Sequence, residues 1–268
     1  MQESKTVKIQ RWKEEGLQPT ESDTVATEEP LEIRVRGRSI AITMRTPGHD
    51  EELVAGFLVT ENIIHHRQDV SEIAHCREGE AAQLGNIMNV FLTPEVDVDF
   101  GQLTRHFFAS SSCGLCGKAS IEDVHQKFPP VENQIEISAK MLASLPDKLR
   151  VAQPTFDQTG GLHAAGLFSM DGFLTVSRED VGRHNAVDKV VGNAFLNQVD
   201  LSQSILLVSG RASFEIMQKA LSARIPIVAA VSAPSSLAVE FAQDSRQTLA
   251  GFVRGKTMNV YAGAQRVR

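Results

Sequence analysis

Cysteine is scarce in this chain, with three among 268 residues. That scarcity excludes a disulfide framework, which needs several paired thiols. The polar opening Met1-Gln2-Glu3-Ser4-Lys5 has none of the apolar character of a secretory signal, so the expected compartment is the reducing cytoplasm. Long apolar runs are missing as well. The longest, Ile205 to Val208 and Ile225 to Val231, fall far short of the roughly 20 residues a membrane helix requires; they read as buried strands, and no membrane association is expected. Positive charge is also short. A formal net charge of −6 counts against general nucleic-acid binding, which needs cations in excess across an exposed face. The basic stretches Arg34-Val35-Arg36-Gly37-Arg38, Arg178 to Lys189, Arg254-Gly255-Lys256 and Arg266-Val267-Arg268 are each too short for a nucleic-acid platform, although any of them can serve a local anion.

The hydrophobic fraction of 42% fills one large or two small cores, and the local grammar favours two domains. Residues 1–29 are polar, acidic and without period, and read as a loosely ordered arm. Residues 30–137 read as a smaller α+β domain. Leu31, Ile33 and Val35 alternate with charged residues, Gly37 marks a turn, and Ile40, Ile42 and Met44 resume the alternation, which is a hairpin pattern. Asp50 precedes a helix carrying Leu53, Val54, Phe57 and Leu58 on one stripe, and Val70 to His75 and Ile87 to Leu92 follow as strands. From Ser138, a helix cap, residues 138–268 alternate helices with short apolar runs, the signature of crossover units and a mostly parallel sheet. The fold class expected is therefore α/β.

In such sheets ligands gather beyond the carboxyl ends of the strands. Two anion candidates lie there, Ser209-Gly210-Arg211 and Ser232-Ala233-Pro234-Ser235-Ser236, and a third is the turn Arg254-Gly255-Lys256 between two strands, whose glycine lets backbone amides approach a bound group; the alternative for each is ordinary turn chemistry with solvated charge. Arg178 to Lys189 concentrates charge at a strand-to-helix junction and stands open between a solvated helix start and a ligand site, with His184 a capping or packing residue. His163-Ala164-Ala165 after Gly160-Gly161 is expected to open a helix, as His-x-Glu does in zinc deaminases. Alanine in place of the glutamate, and the lack of a downstream Pro-Cys-x-x-Cys, argue against deamination.

The most reactive feature is Ser110-Ser111-Ser112-Cys113-Gly114-Leu115-Cys116-Gly117. Two thiols at this spacing suit a soft metal, a reversible disulfide, or a thiolate carrying a second sulfur. A zinc site needs four ligands, for which Cys76, His75, His106 and His125 are the available additions, though no second pair has metal spacing. A thioredoxin-type exchanger needs its pair at a strand end with a stiff spacer, whereas Gly114 and Gly117 make this loop supple.

Ser-Ser-Cys-Gly-Leu-Cys-Gly, Thr159 to Ala165, Glu179 to Lys189, Ser209 to Ser213 and Gly251-Phe252-x-Arg254-Gly255 together resemble the FdhD family of formate dehydrogenase accessory proteins, in the family's order from about Pro30 onward. The resemblance implies a cytidine-deaminase-like α/β domain and a sulfurtransferase that receives sulfur from a cysteine desulfurase. It passes that sulfur to the molybdenum bis(molybdopterin guanine dinucleotide) cofactor before the cofactor enters the catalytic subunit of formate dehydrogenase. The family's persulfide cysteine falls on Cys113, with Cys116 as relay or release partner. Its cofactor-binding segment falls on Phe252, Val253, Arg254, Gly255, Lys256 and Thr257. No permanently bound metal is expected, and the hairpin edge of the first domain makes a homodimer the expected assembly. The alternative is a non-enzymatic chaperone for cofactor or apo-enzyme, with a structural zinc on the cysteine pair.

Overall fold

The structure, a computed structural model, describes residues 2–77, 85–100, 128–132 and 135–268. The segment with Cys113 and Cys116, and the expected zinc additions His106 and His125, lie outside the described residues.

The expected loose arm is instead a β-ribbon. Strand β1 (Ser4–Ile9) pairs antiparallel with β4 (Glu21–Ala26), and the two-residue strands β2 (Trp12–Lys13) and β3 (Gly16–Leu17) close its tip. Polar composition hid a short period of two: half-buried Val7 and Ile9 flank exposed Lys8 in β1, which suits a narrow two-stranded ribbon with little core to fill. Its root is fastened to the body, with Thr27 N–H donating to the Glu3 carbonyl (2.9 Å) and Thr155 Oγ1 donating to Glu3 Oε2 (2.6 Å).

The first sheet runs in the order β6-β5-β8-β7. Strands β5 (Glu29–Val35) and β6 (Arg38–Arg45) form the expected hairpin. Its two turn residues, Arg36 and Gly37, have φ of 50° and 76°, the positive values that match the right-handed twist of a hairpin. Strands β7 (Val70–His75) and β8 (Ile87–Leu92) have the bounds expected, with β8 parallel to β5 and β7 antiparallel to β8. Leu31, Ile33 and Val35 are fully buried and form one core with Leu53, Val54, Phe57 and Leu58 of helix α1 (Asp50–Thr60).

The second sheet has six strands in the order β10-β9-β11-β12-β13-β14. Helices α2 (Ala139–Val151) and α3 (Pro154–Thr159) precede β9 (His163–Ser169) and β10 (Leu174–Asp180). Helix α4 (Arg183–Leu196) leads to β11 (Ser204–Val208), α5 (Phe214–Ser222) to β12 (Ile227–Ala230), and α6 (Ser236–Asp244) to the hairpin β13 (Thr248–Arg254) and β14 (Thr257–Ala262). Ser138 caps α2 by accepting from Met141 N–H. Only β11 with β12 and β12 with β13 pair in parallel, so the sheet is mixed rather than mostly parallel. The turns at Met170 to Phe173 and at Gly255-Lys256 are too short for a crossover and force antiparallel pairs on both flanks. His163 to Ser169 is correspondingly a central strand rather than a helix start. Its alanines and glycine imitate a helix, yet the strand is buried on both faces, Ala165 and Leu167 in one cluster and Ala164 and Phe168 in the other, and on the α2 side a Cβ on Gly166 would come to 2.9 Å from Leu149 and 3.1 Å from Leu174 and Phe168. Leu206 and Val208 face α4, α5 and α6, while Ile205 and Leu207 face α2.

The two cores meet where α1 crosses α4. At the crossing Gly56 and Gly192 lie backbone to backbone: a Cβ on Gly56 would fall 1.8 Å from the Asp188 carbonyl oxygen, and one on Gly192 would fall 1.8 Å from that of Glu52. Among the described residues no helix is long and apolar enough to cross a membrane.

Candidate functional site: the carboxyl edge of the second sheet

Register brings several chain segments to one edge. His163 opposes Asp180, and Val208 opposes both Ala165 and Ala230. The start of β9 therefore lies beside the ends of β10, β11, β12 and β13, where α4, α5 and α6 begin. The three loops expected to receive anions are knit together at this edge. Ala212 N–H donates to the Ala233 carbonyl (3.2 Å), Ser235 N–H donates to that of Ala212 (3.0 Å), and Phe252 N–H donates to that of Ser232 (3.1 Å). Gly251 permits the last approach, since a Cβ there would sit 2.8 Å from Pro234.

The six-residue segment expected to bind cofactor forms the end of β13, the turn, and the first residue of β14. The register shifts between Gly251 and Arg254, and Phe252 takes φ of 52°, a left-handed conformation a bulky residue adopts only when its surroundings impose it. That distortion turns Val253 wholly into the core against α2, so its side chain is a packing group. Arg254, Gly255, Lys256 and Thr257 are exposed. Gly255 has φ of 61° and open space around it, and the Arg254 guanidinium lies 5.9 Å from the Phe252 ring centroid. The turn thus presents two cations, an aromatic ring and unobstructed backbone to one volume of solvent.

The charged run Arg178 to Lys189 divides into two groups. Most of it is a buried network joining α4 and the end of β10 to α1 and to the segment after β6. Asp180 receives Lys189 Nζ at 2.7 Å, Asn185 Nδ2 at 3.0 Å, Gly182 N–H at 2.8 Å and Thr46 N–H at 3.2 Å. Asp188 receives Lys219 Nζ at 2.8 and 2.9 Å and the Thr60 hydroxyl at 2.9 Å. Glu179 accepts from Thr155 and Phe156 N–H. Arg178 and Asn193 clamp Glu52 of α1. Burial alone raises the Glu52 pKa, but hydrogen bonds from His49, Arg178 and Asn193, with the Arg178 charge, outweigh it and hold the carboxyl at about 2. Sequence reasoning missed this joint because its partners are far apart in the chain. The available signal was the pair Asp188-Lys189 inside the apolar run Ala186 to Val191, where charges persist only if paired. Arg183 and His184 belong to the second group and face the sheet edge, where His184 Nε2 lies 3.3 Å from Ser213 Oγ. Among the described residues no cluster of His, Cys, Asp and Glu has a metal-holding arrangement.

The fold and this edge define a mixed α/β protein with a buried charged joint between its two sheets and a basic edge made of glycine- and serine-rich turns. The chain belongs to the FdhD/NarQ family, whose sequence pattern matches residues 26–268. It is 51% identical over 259 residues to the sulfur carrier protein FdhD of Streptomyces coelicolor, covering 94% of this chain and 92% of that one. It is 52% identical over 256 residues to that of Mycobacterium tuberculosis, covering 92% and 93%. In three dimensions it matches the crystal structure of a "putative formate dehydrogenase accessory protein" from Desulfotalea psychrophila with a TM-score of 0.78 and 27% identity, over 99% of each chain.

Proposed function

We propose that this protein is a cytoplasmic sulfur carrier that serves formate dehydrogenase, moving sulfur as a persulfide on Cys113. The observation that carries the reading is the combination of Ser-Ser-Cys113-Gly-Leu-Cys116-Gly with about half-identity to sulfur carrier proteins over more than nine-tenths of the chain. The donor is a cysteine desulfurase. The Cys113 thiolate attacks the terminal sulfur of the donor's persulfide, the donor's S–S bond breaks, and the donor departs as a thiolate while Cys113 retains the sulfane sulfur.

The recipient is the molybdenum bis(molybdopterin guanine dinucleotide) cofactor, a client rather than a resident group. Its phosphates are drawn to the exposed turn Arg254-Gly255-Lys256-Thr257, and the Phe252 ring stands beside it. Cys116 has two routes open to it: its thiolate takes the outer sulfur of the Cys113 persulfide and relays it, Cys113 leaving as a thiolate, or it attacks the inner sulfur, forming a Cys113–Cys116 disulfide and expelling hydrosulfide. Strand β6, at the edge of the first sheet, is the surface for pairing a second copy. The test is Cys113→Ala in cells. The variant folds and retains the cofactor but gives no active formate dehydrogenase; full maturation would sink the carrier reading. Stoichiometric zinc in the purified protein, lost on changing either cysteine, would favour a zinc-stabilised chaperone instead.

A further inference from the structure

We propose that the β-ribbon is an exchange arm: the apolar pair Trp12 and Leu17 at its tip docks on the exposed face of strand β6, at Ile42 and Met44, of a second copy of this chain, which returns its own arm to the first. The exchange rests on the reading that two copies pair at the first sheet. Trp12 opposes Leu17 across β2 and β3, and Glu14-Glu15 form the turn between Lys13 and Gly16. The two apolar side chains are 71% and 67% exposed. A tryptophan left in water at the end of a narrow ribbon adds nothing to the fold that carries it, whereas buried in a partner it is the favoured kind of anchor. The family pattern begins at residue 26, so the arm stands outside it.

The first sheet offers a surface of the same chemistry. Ile42 and Met44 stand two residues apart on one face of β6, the spacing of same-face neighbours in a strand, and are 68% and 46% exposed. Backbone pairing along the whole of this edge is obstructed, because Asn185 of α4 donates to the Met44 carbonyl (2.7 Å) and accepts from the Thr43 hydroxyl (3.1 Å). A second copy is therefore held there by side chains on the face as well as by the open part of the edge. The tip and the face of one chain do not cover each other, since all four side chains are exposed in the single chain. Met44 pairs with Pro30 close to the root of the arm, and that root is tied down through Thr27, Glu3 and Thr155. Leu17 precedes Ala26 by nine residues, about 30 Å of strand, a reach that suits a neighbouring molecule.

Charge fits the same placement. The tip turn Glu14-Glu15 is acidic and exposed, and the hairpin turn that opens β6 carries exposed Arg36 and Arg38. A tip seated on Ile42 and directed along β6 toward that turn brings acid to base. Arg36 donates to the carbonyls of Thr93 (3.1 Å) and Val96 (2.7 Å), and the Arg38 guanidinium lies 4.9 Å from the Phe100 ring centroid, contacts that position both cations without neutralising them. Size requires the exchange to be reciprocal. An aromatic side chain covers about 150–250 Å² when buried, and a specific interface buries at least about 1,000 Å², so one tip on one face cannot hold two copies together. A two-fold axis doubles every contact, with two tips on two faces.

Trp12 is the only tryptophan of the chain, so its fluorescence reports the arm tip without a label. The experiment combines sedimentation velocity with acrylamide quenching of that fluorescence, on the full-length protein over a concentration series. The proteins compared are the wild type, the double variant Ile42→Ser with Met44→Ser, and Trp12→Ser for sedimentation alone, each checked by thermal melting, which should not move because these side chains are exposed. Trp12 of the wild type should become shielded from acrylamide as the protein associates. Both variants should associate about ten-fold or more weakly, as loss of an interface anchor does, and in the double variant Trp12 should stay open to quencher where the wild type is shielded. A wild type that remains monomeric at every concentration overturns the pairing of copies and the exchange together. A dimer whose Trp12 remains open to acrylamide overturns the exchange and leaves the pairing standing, and a shielded Trp12 that the double variant does not release overturns β6 as its seat.

Discussion

The crossing of α1 and α4 supplies a perturbation whose size follows from geometry. In Gly56→Ala the new Cβ would fall 1.8 Å from the Asp188 carbonyl oxygen, and in Gly192→Ala it would fall 1.8 Å from that of Glu52. Carbon and oxygen in contact need about 3.3 Å, so the helices must part by about 1.5 Å. Both obstacles are main chain and cannot swing aside. Alanine recovers about 1 kcal/mol of helix propensity over glycine, against which overpacking of a dense interior costs about 1–3 kcal/mol and sometimes more. Parting the helices also lengthens the bonds across the crossing, Thr60 to Asp188 and Asn193 to Glu52, adding to the loss. The net expectation is destabilisation by about 2 kcal/mol, or roughly 4–8 °C in melting temperature for a chain of this size. Gly161→Ala is the control, since its Cβ would meet Ala26 at an ordinary 3.5 Å. Thermal melts of the three variants decide the matter. If Gly56→Ala and Gly192→Ala melt at or above the wild-type temperature, propensity alone is acting and the close crossing is refuted.

Acid should loosen the same joint. The Glu52 pKa falls from 4.5 to about 2 on folding, so the unfolded chain binds the proton more readily. Its contribution is complete above pH 4.5 and is lost as pH falls toward 2, amounting to at most about 3 kcal/mol. Urea midpoints between pH 6 and 3 should drop more steeply for the wild type than for Glu52→Gln, and equal slopes would show that Glu52 does not act this way. At the basic turn, replacing both Arg254 and Lys256 by alanine should weaken GDP binding with the melting temperature preserved, because both side chains are exposed; wild-type affinity in that variant would move the cofactor site to the Ser209 and Ser232 loops.

Elements with strong local signals were legible from the chain. Val70 to His75 and Ile87 to Leu92 have the strand bounds expected, and the Ser138 cap and the hairpin around Gly37 rest on side-chain and turn chemistry that acts within a few residues. His163 to Ser169 misled because smallness forced by packing on two faces resembles helix propensity; only the positions of Leu149, Leu174 and Phe168 separate the two. The mixed sheet was missed for a related reason, since buried parallel and antiparallel strands have the same apolar appearance and only the short turns distinguish them. At the site, the three loops were visible as compositions, but their union depends on bonds such as Ala212 to Ala233. Likewise, the charge run Arg178 to Lys189 looked like one feature, whereas tertiary contacts split it into a buried joint through Asp180, Asp188 and Lys189 and a pair at the sheet edge, Arg183 and His184.

The central claim is that Cys113 carries sulfur. Its most direct measurement is mass spectrometry of the purified protein after incubation with a cysteine desulfurase and isotopically labelled cysteine. The account predicts one labelled sulfur atom on the peptide containing Cys113, removed by reductant and lost in Cys113→Ala. Absence of label on that cysteine, while the desulfurase itself becomes loaded, would contradict it.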